Sequence, residues 1–389
     1  MASPLRSAPR RLLRLVCGLA AGLAALVLLA ELAASFTLAG NAAYFVEDPD
    51  LYLVRKPGLD GYTWGDGRWI ACHINALGLR GDELPATRDP QELRVLCVGD
   101  SFTFGGGVET QDAWPAQLQA LVGPPEASGV RVLNGGANGW DTPWQRLYLE
   151  KRGLREVRPD VVVLGWNWND LHTVPDAPQR AVQVFLHGGG TWLSIFEDWP
   201  ALQGTHLYRW FYSQSPGRTS VPTDAQLREG YATYKRTMEA VAVEPERKLE
   251  PARRQRYGNA PPDRDWWVST DWAPWKTVRA EMARIDELCR QSGATFVVAL
   301  LTEPSWEGPG TFPGVERMAA LLDSLGVAWI DLQPEYLRRA ADGTPLGRRD
   351  ELWLRYDYAH PNAEGHAIFA RAVRELLERR GLLRPRGGG

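Results

Sequence analysis

Five short hydrophobic runs alternate with segments of helical periodicity over most of the chain. The runs show little alternation of polar and apolar residues, which is typical of strands covered on both faces. They lie at Leu93–Val98, Val130–Leu133, Val161–Leu164, Thr295–Leu301 and Val327–Ile330. The predicted helices between and after them are Trp114–Val122, Pro143–Val157, Trp275–Gln291, Val315–Leu325 and Pro361–Arg380. This order predicts a parallel sheet with helices on both faces, and Asp141 or Thr142 as the N-cap of the second helix.

Two stretches break this rhythm. Residues 41–92 contain closely spaced turn pairs, such as Pro57-Gly58 and Asp60-Gly61, and no clean period, so we expect an irregular lead-in there. Residues 171–274 are rich in aromatic residues and follow the third strand. We interpret them as an insertion into a single domain that covers residues 93–385, and not as a second independent domain.

The first forty residues have the pattern of an export signal. Four arginines, the last of them Arg14, precede an uncharged apolar run from Leu15 to Ala30. A membrane span needs roughly 20 apolar residues, and Leu12–Leu38 supplies them if Glu31 lies near the outer interface. The positive charges place the N-terminus in the cytoplasm. We therefore expect residues 1–40 to form an uncleaved signal anchor with the rest extracytoplasmic, periplasmic or at the cell surface, and a secreted protein if the segment is cleaved.

Composition excludes several classes of protein. The chain has 389 residues with 44 Lys+Arg against 47 Asp+Glu, a balance that disfavours a basic nucleic-acid binder. The 4 cysteines share no short spacing, so neither a disulfide scaffold nor a cysteine-based zinc site is indicated. The 17 tryptophans indicate either a surface that binds flat apolar faces or simply bulky core material.

Polar residues follow the first three predicted strands of the sheet. These are Ser101 after the first strand, the glycine-rich segment 134–142 after the second, and residues 167–170 after the third. Asp357 and His360 stand just before the last helix. Ligands of such sheets bind at the carboxyl ends of the strands, so we expect a hydroxyl, an amide and an Asp/His pair to share one rim.

These four segments resemble the motifs of the SGNH/GDSL hydrolase family, in the family's order. The resemblance covers residues 93–170 and 295–380, and it implies a flavodoxin-like three-layer α/β/α fold without a cofactor. It implies a catalytic triad of Ser101, Asp357 and His360. It also implies oxyanion donors from Ser101, from Gly139 or with less weight Gly136, and from Asn169. One departure is Asn167, which stands where the family has a glycine and competes with Asn169 for this role.

The predicted chemistry is consistent with these residue types. A serine hydroxyl is a weak nucleophile that needs an adjacent base, which His360 supplies while Asp357 orients the imidazole. The tetrahedral intermediate needs hydrogen-bond donors for its oxyanion. A zinc site built from Asp170, His172 and His360 follows no spacing rule, so we predict no metal.

Four other histidines carry no catalytic prediction. We expect His73, His187 and His206 to be surface or packing residues, because none of them has a charged partner nearby in the sequence that marks a site. His366 lies six residues beyond His360, which places it on a different face of the last helix and indicates packing.

The substrate is the least determined part of the sequence. Aromatic rings beside the motif loops fit sugar rings, so Trp140, Trp166, Trp168 and Asn167 are the predicted substrate-binding residues. We expect a serine esterase that hydrolyses a small acyl ester, O-acetyl above others, on an acylated glycan. Two alternatives remain open: an O-acyltransferase that uses the same triad on a cell-surface glycan, and a non-catalytic glycan-binding protein.

Overall fold

The computed structural model describes residues 8–36, 45–66, 68–167, 170, 205–213, 273–301, 313–332, 352–355 and 360–385. The strands in chain order are β1 Phe45–Asp48, β2 Tyr52–Arg55, β3 Leu59–Gly65, β4 Arg68–Ile74, β5 Leu93–Gly99, β6 Val130–Asn134, β7 Val161–Trp166, β8 Thr295–Leu300 and β9 Ala328–Asp331. The helices are α1 Ala8–Ser35, α2 Ser101–Phe104, α3 Trp114–Val122, α4 Pro125–Ser128, α5 Thr142–Tyr148, α6 His206–Ser213, α7 Ala273–Ser292, α8 Pro313–Leu325 and α9 Ala363–Arg379.

The five predicted strands form one parallel sheet in the order β6-β5-β7-β8-β9. This is the flavodoxin-like order, and it confirms the predicted fold class. The first strand of the sheet in sequence, β5, lies between β6 and β7, with Cys97 opposite Asn134 and Gly99 opposite Gly165. The carboxyl ends of these three strands therefore lie side by side.

Hydrophobic clusters cover both faces of the sheet, which explains the continuous apolar runs. Leu96 and Val98 of β5 pack in the cluster that includes residues of α5, α7 and α8. Val95 and Cys97 point to the other face, into the cluster with residues of α3 and α9 such as Trp114 and Phe369. Successive strand residues point to opposite faces, so a strand covered on both sides must be apolar at every position.

The lead-in differs from the irregular segment expected from its turn pairs. It forms two antiparallel hairpins, β1-β2 and β3-β4. The Asp-Gly pair at 66–67 is the connection between β3 and β4, which is a common hairpin turn sequence. Isolated bridges then join Ile74 to Arg80 and Arg80 to Asn134 at the end of β6. Of the other turn pairs, Pro57-Gly58 links the two hairpins, whereas Asp60-Gly61 lies within β3 and marks no turn.

Helix boundaries follow local capping. Asp141 is the N-cap of α5, as one of the two predicted alternatives had it, and its carboxylate accepts the N–H of Trp144 at 3.1 Å. The predicted helix continues past Tyr148, but Leu149–Val157 is π-helical. The last helix begins at Ala363 rather than Pro361, because the Asn362 side chain caps it by accepting two backbone N–H groups.

Within the described residues, one helix is long and apolar enough to cross a membrane, at Leu13–Ser35. Its large apolar side chains, from Leu13 to Leu32, are exposed to the surroundings of the protein. Of the predicted insertion 171–274, the structure describes α6 and the start of α7. The remainder of the insertion, which includes His187, lies outside the described residues.

Candidate active site

Ser101 and His360 are in direct contact at the edge where the strands end. His360 Nε2 lies 2.7 Å from Ser101 Oγ, a hydrogen-bond distance. Ser101 immediately follows β5 as the first residue of α2, and His360 lies three residues before α9. The imidazole also packs against Phe102, with ring centroids 4.9 Å apart. Two residues 259 positions apart in sequence therefore meet in the geometry of a hydroxyl and its base.

The short helix that carries Ser101 is held by caps at both ends. The buried carboxylate of Asp100 accepts the Phe102 N–H at 2.9 Å and caps the first turn. Gly105 closes the turn in the left-handed region with φ of 86°, and its N–H and that of Gly106 donate to the Ser101 carbonyl. The turn is therefore fixed on each side of the serine.

Glycines let this helix rest directly on the strand ends. A Cβ at Gly136 would lie 2.3 Å from the Phe104 nitrogen, and one at Gly165 would lie 2.3 Å from Thr103 Oγ1. A Cβ at Gly99 would lie 2.2 Å from the same oxygen. These three glycines, one from the end of each of β5 and β7 and one just after β6, leave no room for a side chain beneath α2. Gly136 is thus required by packing.

Gly139, the preferred oxyanion candidate, has a different conformational requirement. Its φ is 76°, in the left-handed region that favours glycine. The loop before it is fixed near the serine, because the Ala137 N–H donates to the Gly99 carbonyl at 2.8 Å. The Ser101 N–H stands at the first position of a helix, where it has no intrahelical partner.

Three of the predicted site residues lie outside the described part of the chain: Asp357, Asn169 and Trp168. Their roles stay predictions. Among the residues described, no group of His, Cys, Asp or Glu is arranged to hold a metal ion, and His172 is not among them.

Two predicted substrate-binding tryptophans are packed inside the protein. Trp140 is buried and stacks on Trp144 with ring centroids 6.1 Å apart. Trp166 is buried against Trp275, and its Nε1–H donates to Thr142 Oγ1 at 3.3 Å. The structure corrects the expectation that these faces are open for stacking on a sugar, because helices α5 and α7 cover that face of the sheet.

Asn167 is also buried rather than placed on an open surface. Its backbone N–H donates to the Asp170 carboxylate at 2.9 Å. Gln145 Nε2 donates to the second oxygen of the same carboxylate at 2.9 Å, and the Thr142 hydroxyl donates to the Asp170 carbonyl. Burial raises the pKa of Asp170 well above its ordinary value, and the nearby Asp100 charge acts in the same direction. This carboxyl organises the loop after β7.

His366 of α9 and His360, which precedes that helix, have separate environments. His366 is fully buried and packs edge-on against Phe369. Burial lowers its pKa to about 3, with the charges of Arg80 and His360 acting in the same direction. His366 is therefore a neutral packing residue, whereas His360 reaches Ser101.

Two buried arginines of the lead-in were not singled out by the sequence. Arg80 donates from Nη1 to the carbonyls of Phe104 and Gly105 at 2.9 and 2.7 Å, and from Nη2 to that of Val108 at 2.7 Å. Arg55 donates to the Gly136 carbonyl at 2.7 Å and to Asn138 Oδ1 at 2.6 Å. Each side chain holds one of the loops that border Ser101.

Both arginines also contact the ring of Phe104. The guanidinium carbons of Arg55 and Arg80 lie 3.4 and 4.4 Å from its centroid, within the range of a cation–π contact. Nothing in the local sequence marks these arginines, because each acts on residues at least 24 positions away in the chain.

A doubly wound α/β fold with a serine–histidine pair at the carboxyl ends of its strands is the arrangement expected of a serine hydrolase. The chain belongs to the GDSL-like lipase/acylhydrolase family, whose model matches residues 97–368. The lead-in hairpins precede this match.

Solved structures give low overall similarity. An acetylxylan esterase from Geobacillus stearothermophilus is 13% identical, with a TM-score of 0.37, over 75% of this chain and 96% of that one. A GDSL-like lipase from Bacteroides thetaiotaomicron is 11% identical, with a TM-score of 0.34, over 76% of this chain and 93% of that one. No curated protein sequence matches the chain.

Replacing Arg80 should disturb the turn that carries Ser101. Arg80→Met removes the donors to three buried carbonyls, and we expect a loss of about 3 kcal/mol in unfolding free energy. Below the melting temperature, we expect the rate of fluorophosphonate labelling of Ser101 to fall at least tenfold, with Arg80→Lys intermediate. Circular dichroism melting and labelling kinetics measure the two effects. Normal labelling of a destabilised but folded variant would contradict a positioning role.

The Asp141 carboxyl should make stability depend on pH. Burial raises its pKa from 3.8 to about 7, the Glu281 charge acts in the same direction, and the Trp144 N–H opposes them. Between pH 4 and 7, the folded chain keeps a proton that the unfolded chain has lost, so this group's contribution to stability falls as pH rises. Asparagine also caps helices but cannot ionise.

We therefore expect the Asp141→Asn variant to become more stable than the parent protein as the pH rises from 4 to 7. A tenfold difference in proton affinity corresponds to about 1.4 kcal/mol, so the gain has an upper bound of about 4 kcal/mol. We expect less, since Asp141 is only half-buried by surface area. Denaturant unfolding of both proteins at pH 4, 5.5, 7 and 8 measures the difference. A difference that does not change with pH would show that Asp141 ionises normally.

Proposed function

We propose that this protein is a membrane-anchored, extracytoplasmic serine esterase that hydrolyses a small acyl ester, with O-acetyl groups on a glycan as the favoured substrate. The observation that carries the proposal is the 2.7 Å contact between Ser101 Oγ and His360 Nε2 in a chain of the GDSL-like acylhydrolase family. A serine with its base already in place favours catalysis over glycan binding alone.

The proposed reaction proceeds through an acyl-enzyme. Ser101 Oγ attacks the ester carbonyl while His360 takes the hydroxyl proton, which it then gives to the leaving alcohol. In the deacylation step, water takes the place of the alcohol. His360 accepts a proton from the water while its oxygen adds to the acyl carbon, and His360 then returns the proton to the departing Ser101 oxygen. Asp357 is proposed to hold the second ring nitrogen. The N–H groups of Ser101 and Gly139 and the Asn169 amide are proposed to bind the oxyanion.

The immediate surroundings of the pair support a small acyl group. Gly106 lies against the site, so that a Cβ there would be 3.5 Å from both His360 Cδ2 and the Ser101 carbonyl oxygen. Phe102 packs on the other part of the imidazole. On the Gly106 side, a methyl-sized group would therefore be in ordinary van der Waals contact with the base. The glycan part of the proposal now depends on Trp168 and on the aromatic residues of the insertion, since Trp140 and Trp166 are buried.

Ser101→Ala tests the mechanism directly. We expect the full chain in detergent to hydrolyse an aryl acetate and to be labelled by a fluorophosphonate, and the variant to lose both, with kcat lower by at least about 10³. Ser128→Ala is the matched control, because this hydroxyl donates to the carbonyls of Gly123 and Pro124. Residual turnover at the parent rate in a folded Ser101→Ala protein would refute the serine mechanism.

The products distinguish hydrolase from acyltransferase. The same acyl-enzyme yields acetate with water or an acetylated sugar with a glycan hydroxyl. We expect free acetate to account for nearly all turnover of an aryl acetate, with or without added oligosaccharide, when both products are quantified by mass spectrometry. Acetylated oligosaccharide as the main product would instead establish the acyltransferase alternative.

A further inference from the structure

The exposed apolar surface of this protein is concentrated around the N-terminal helix. In the described part of the chain, large exposed hydrophobic side chains outside α1 and its neighbour Phe36 occur at Leu121, Trp210 and Phe211. The last two are adjacent on α6, the helix within the insertion, and their rings meet edge to face with centroids 5.0 Å apart. An exposed aromatic pair of this kind needs an explanation, because water is a poor environment for it.

Helix α6 is fastened to α1 by a charged residue in the apolar run. One Glu31 oxygen accepts the N–H of His206 at 2.7 Å, and the other accepts that of Leu207 at 2.8 Å. His206 Nδ1 also lies 2.8 Å from the first oxygen. Glu31 thus caps the first turn of α6 from 175 residues away, a partner that the sequence around His206 does not reveal.

The position of Glu31 along α1 sets the height of α6 relative to a bilayer. Seventeen residues separate Arg14 from Glu31, which corresponds to about 26 Å at 1.5 Å per residue. The hydrocarbon core of a bilayer is about 30 Å thick. With Arg14 at the cytoplasmic surface, Glu31 and the start of α6 reach the outer interface.

We propose that α6 lies in the outer headgroup region of the membrane that α1 spans and inserts Trp210 and Phe211 at the boundary with the acyl chains. This proposal rests on the proposed anchor. Its support is the attachment of α6 to α1 through Glu31, the exposure of the Trp210 and Phe211 rings, and the aromatic composition of α6, HLYRWFYS. Tryptophan and tyrosine are enriched at this depth, and short amphipathic helices lie in it with one face buried. The insertion then fixes the catalytic domain close to the membrane surface.

Spin labels can measure the depth of α6 in the full chain. In a Cys17→Ser background the other cysteines are buried, so Trp210→Cys accepts a single nitroxide. The chain is reconstituted in phosphatidylcholine–phosphatidylglycerol liposomes, and collisions with oxygen and with a water-soluble nickel chelate are compared. Leu121→Cys is the matched control, since Leu121 is similarly exposed but lies on α3 of the catalytic domain.

We expect the label at 210 to collide with nickel at least tenfold less than the label at 121, and to collide more with oxygen, as for a depth of about 5–10 Å. Equal nickel collisions at both sites would overturn the proposal. Protection of position 210 from both reagents would also overturn it, because it would show that protein covers α6.

A label on Cys17 of the otherwise unaltered chain separates this proposal from the anchor. Cys17 is exposed on α1 and should report the hydrocarbon interior. A deep Cys17 with an aqueous position 210 contradicts the placement of α6 alone, whereas an aqueous Cys17 contradicts the anchor and the α6 proposal together.

The Glu31 contact has its own test. Glu31→Ala should release α6 and increase the mobility of the label at 210, while Glu31→Gln, which keeps an acceptor oxygen, should have a smaller effect. Turnover of a soluble aryl acetate should stay at the parent level in both. Unchanged mobility in Glu31→Ala would show that Glu31 does not hold α6.

Discussion

The position of Ser101 depends on one packing constraint, the absence of room for side chains beneath α2. Gly99, Gly136 and Gly165 bring the ends of three neighbouring strands against Thr103 and Phe104 with no space for a Cβ. The strands are held in place by their pairing in the sheet and by two hydrophobic clusters. Since α2 packs directly on the strand ends, its position is fixed as well. The sheet therefore fixes the position of Ser101. The segment just before α9 places His360 within hydrogen-bond distance of it.

The end of α2 and the neighbouring loops are also held by two buried arginines. Arg55 and Arg80 are each only 4% exposed, yet their Nη groups donate to backbone carbonyls of the site loops and their guanidinium groups lie on the Phe104 ring. A buried charge is tolerated when its donors are used in this way. The site thus combines a domain shared with the family, from residue 97 onward, with hairpins that precede it.

The sequence predicted what depends on local patterns. Unbroken apolar runs revealed the five strands because both faces of the sheet are covered, and the motif order predicted the meeting of Ser101 and His360. It could not predict contacts whose partners are remote and unmarked, such as Arg80 with Gly105 or Glu31 with His206. Composition also failed for Trp140 and Trp166, since a tryptophan beside a motif loop looks the same whether its ring faces solvent or helix α5.

The arginine contacts define how short an active form of this enzyme can be. A chain trimmed to the shared domain would keep Ser101 and His360 but would leave the carbonyls of Gly105, Val108 and Gly136 without their guanidinium donors. The smallest unit that preserves the site therefore begins ahead of β1, and α1 is best removed between residues 36 and 45. Protein engineering that follows family boundaries alone would remove the arginines that hold the turn carrying Ser101.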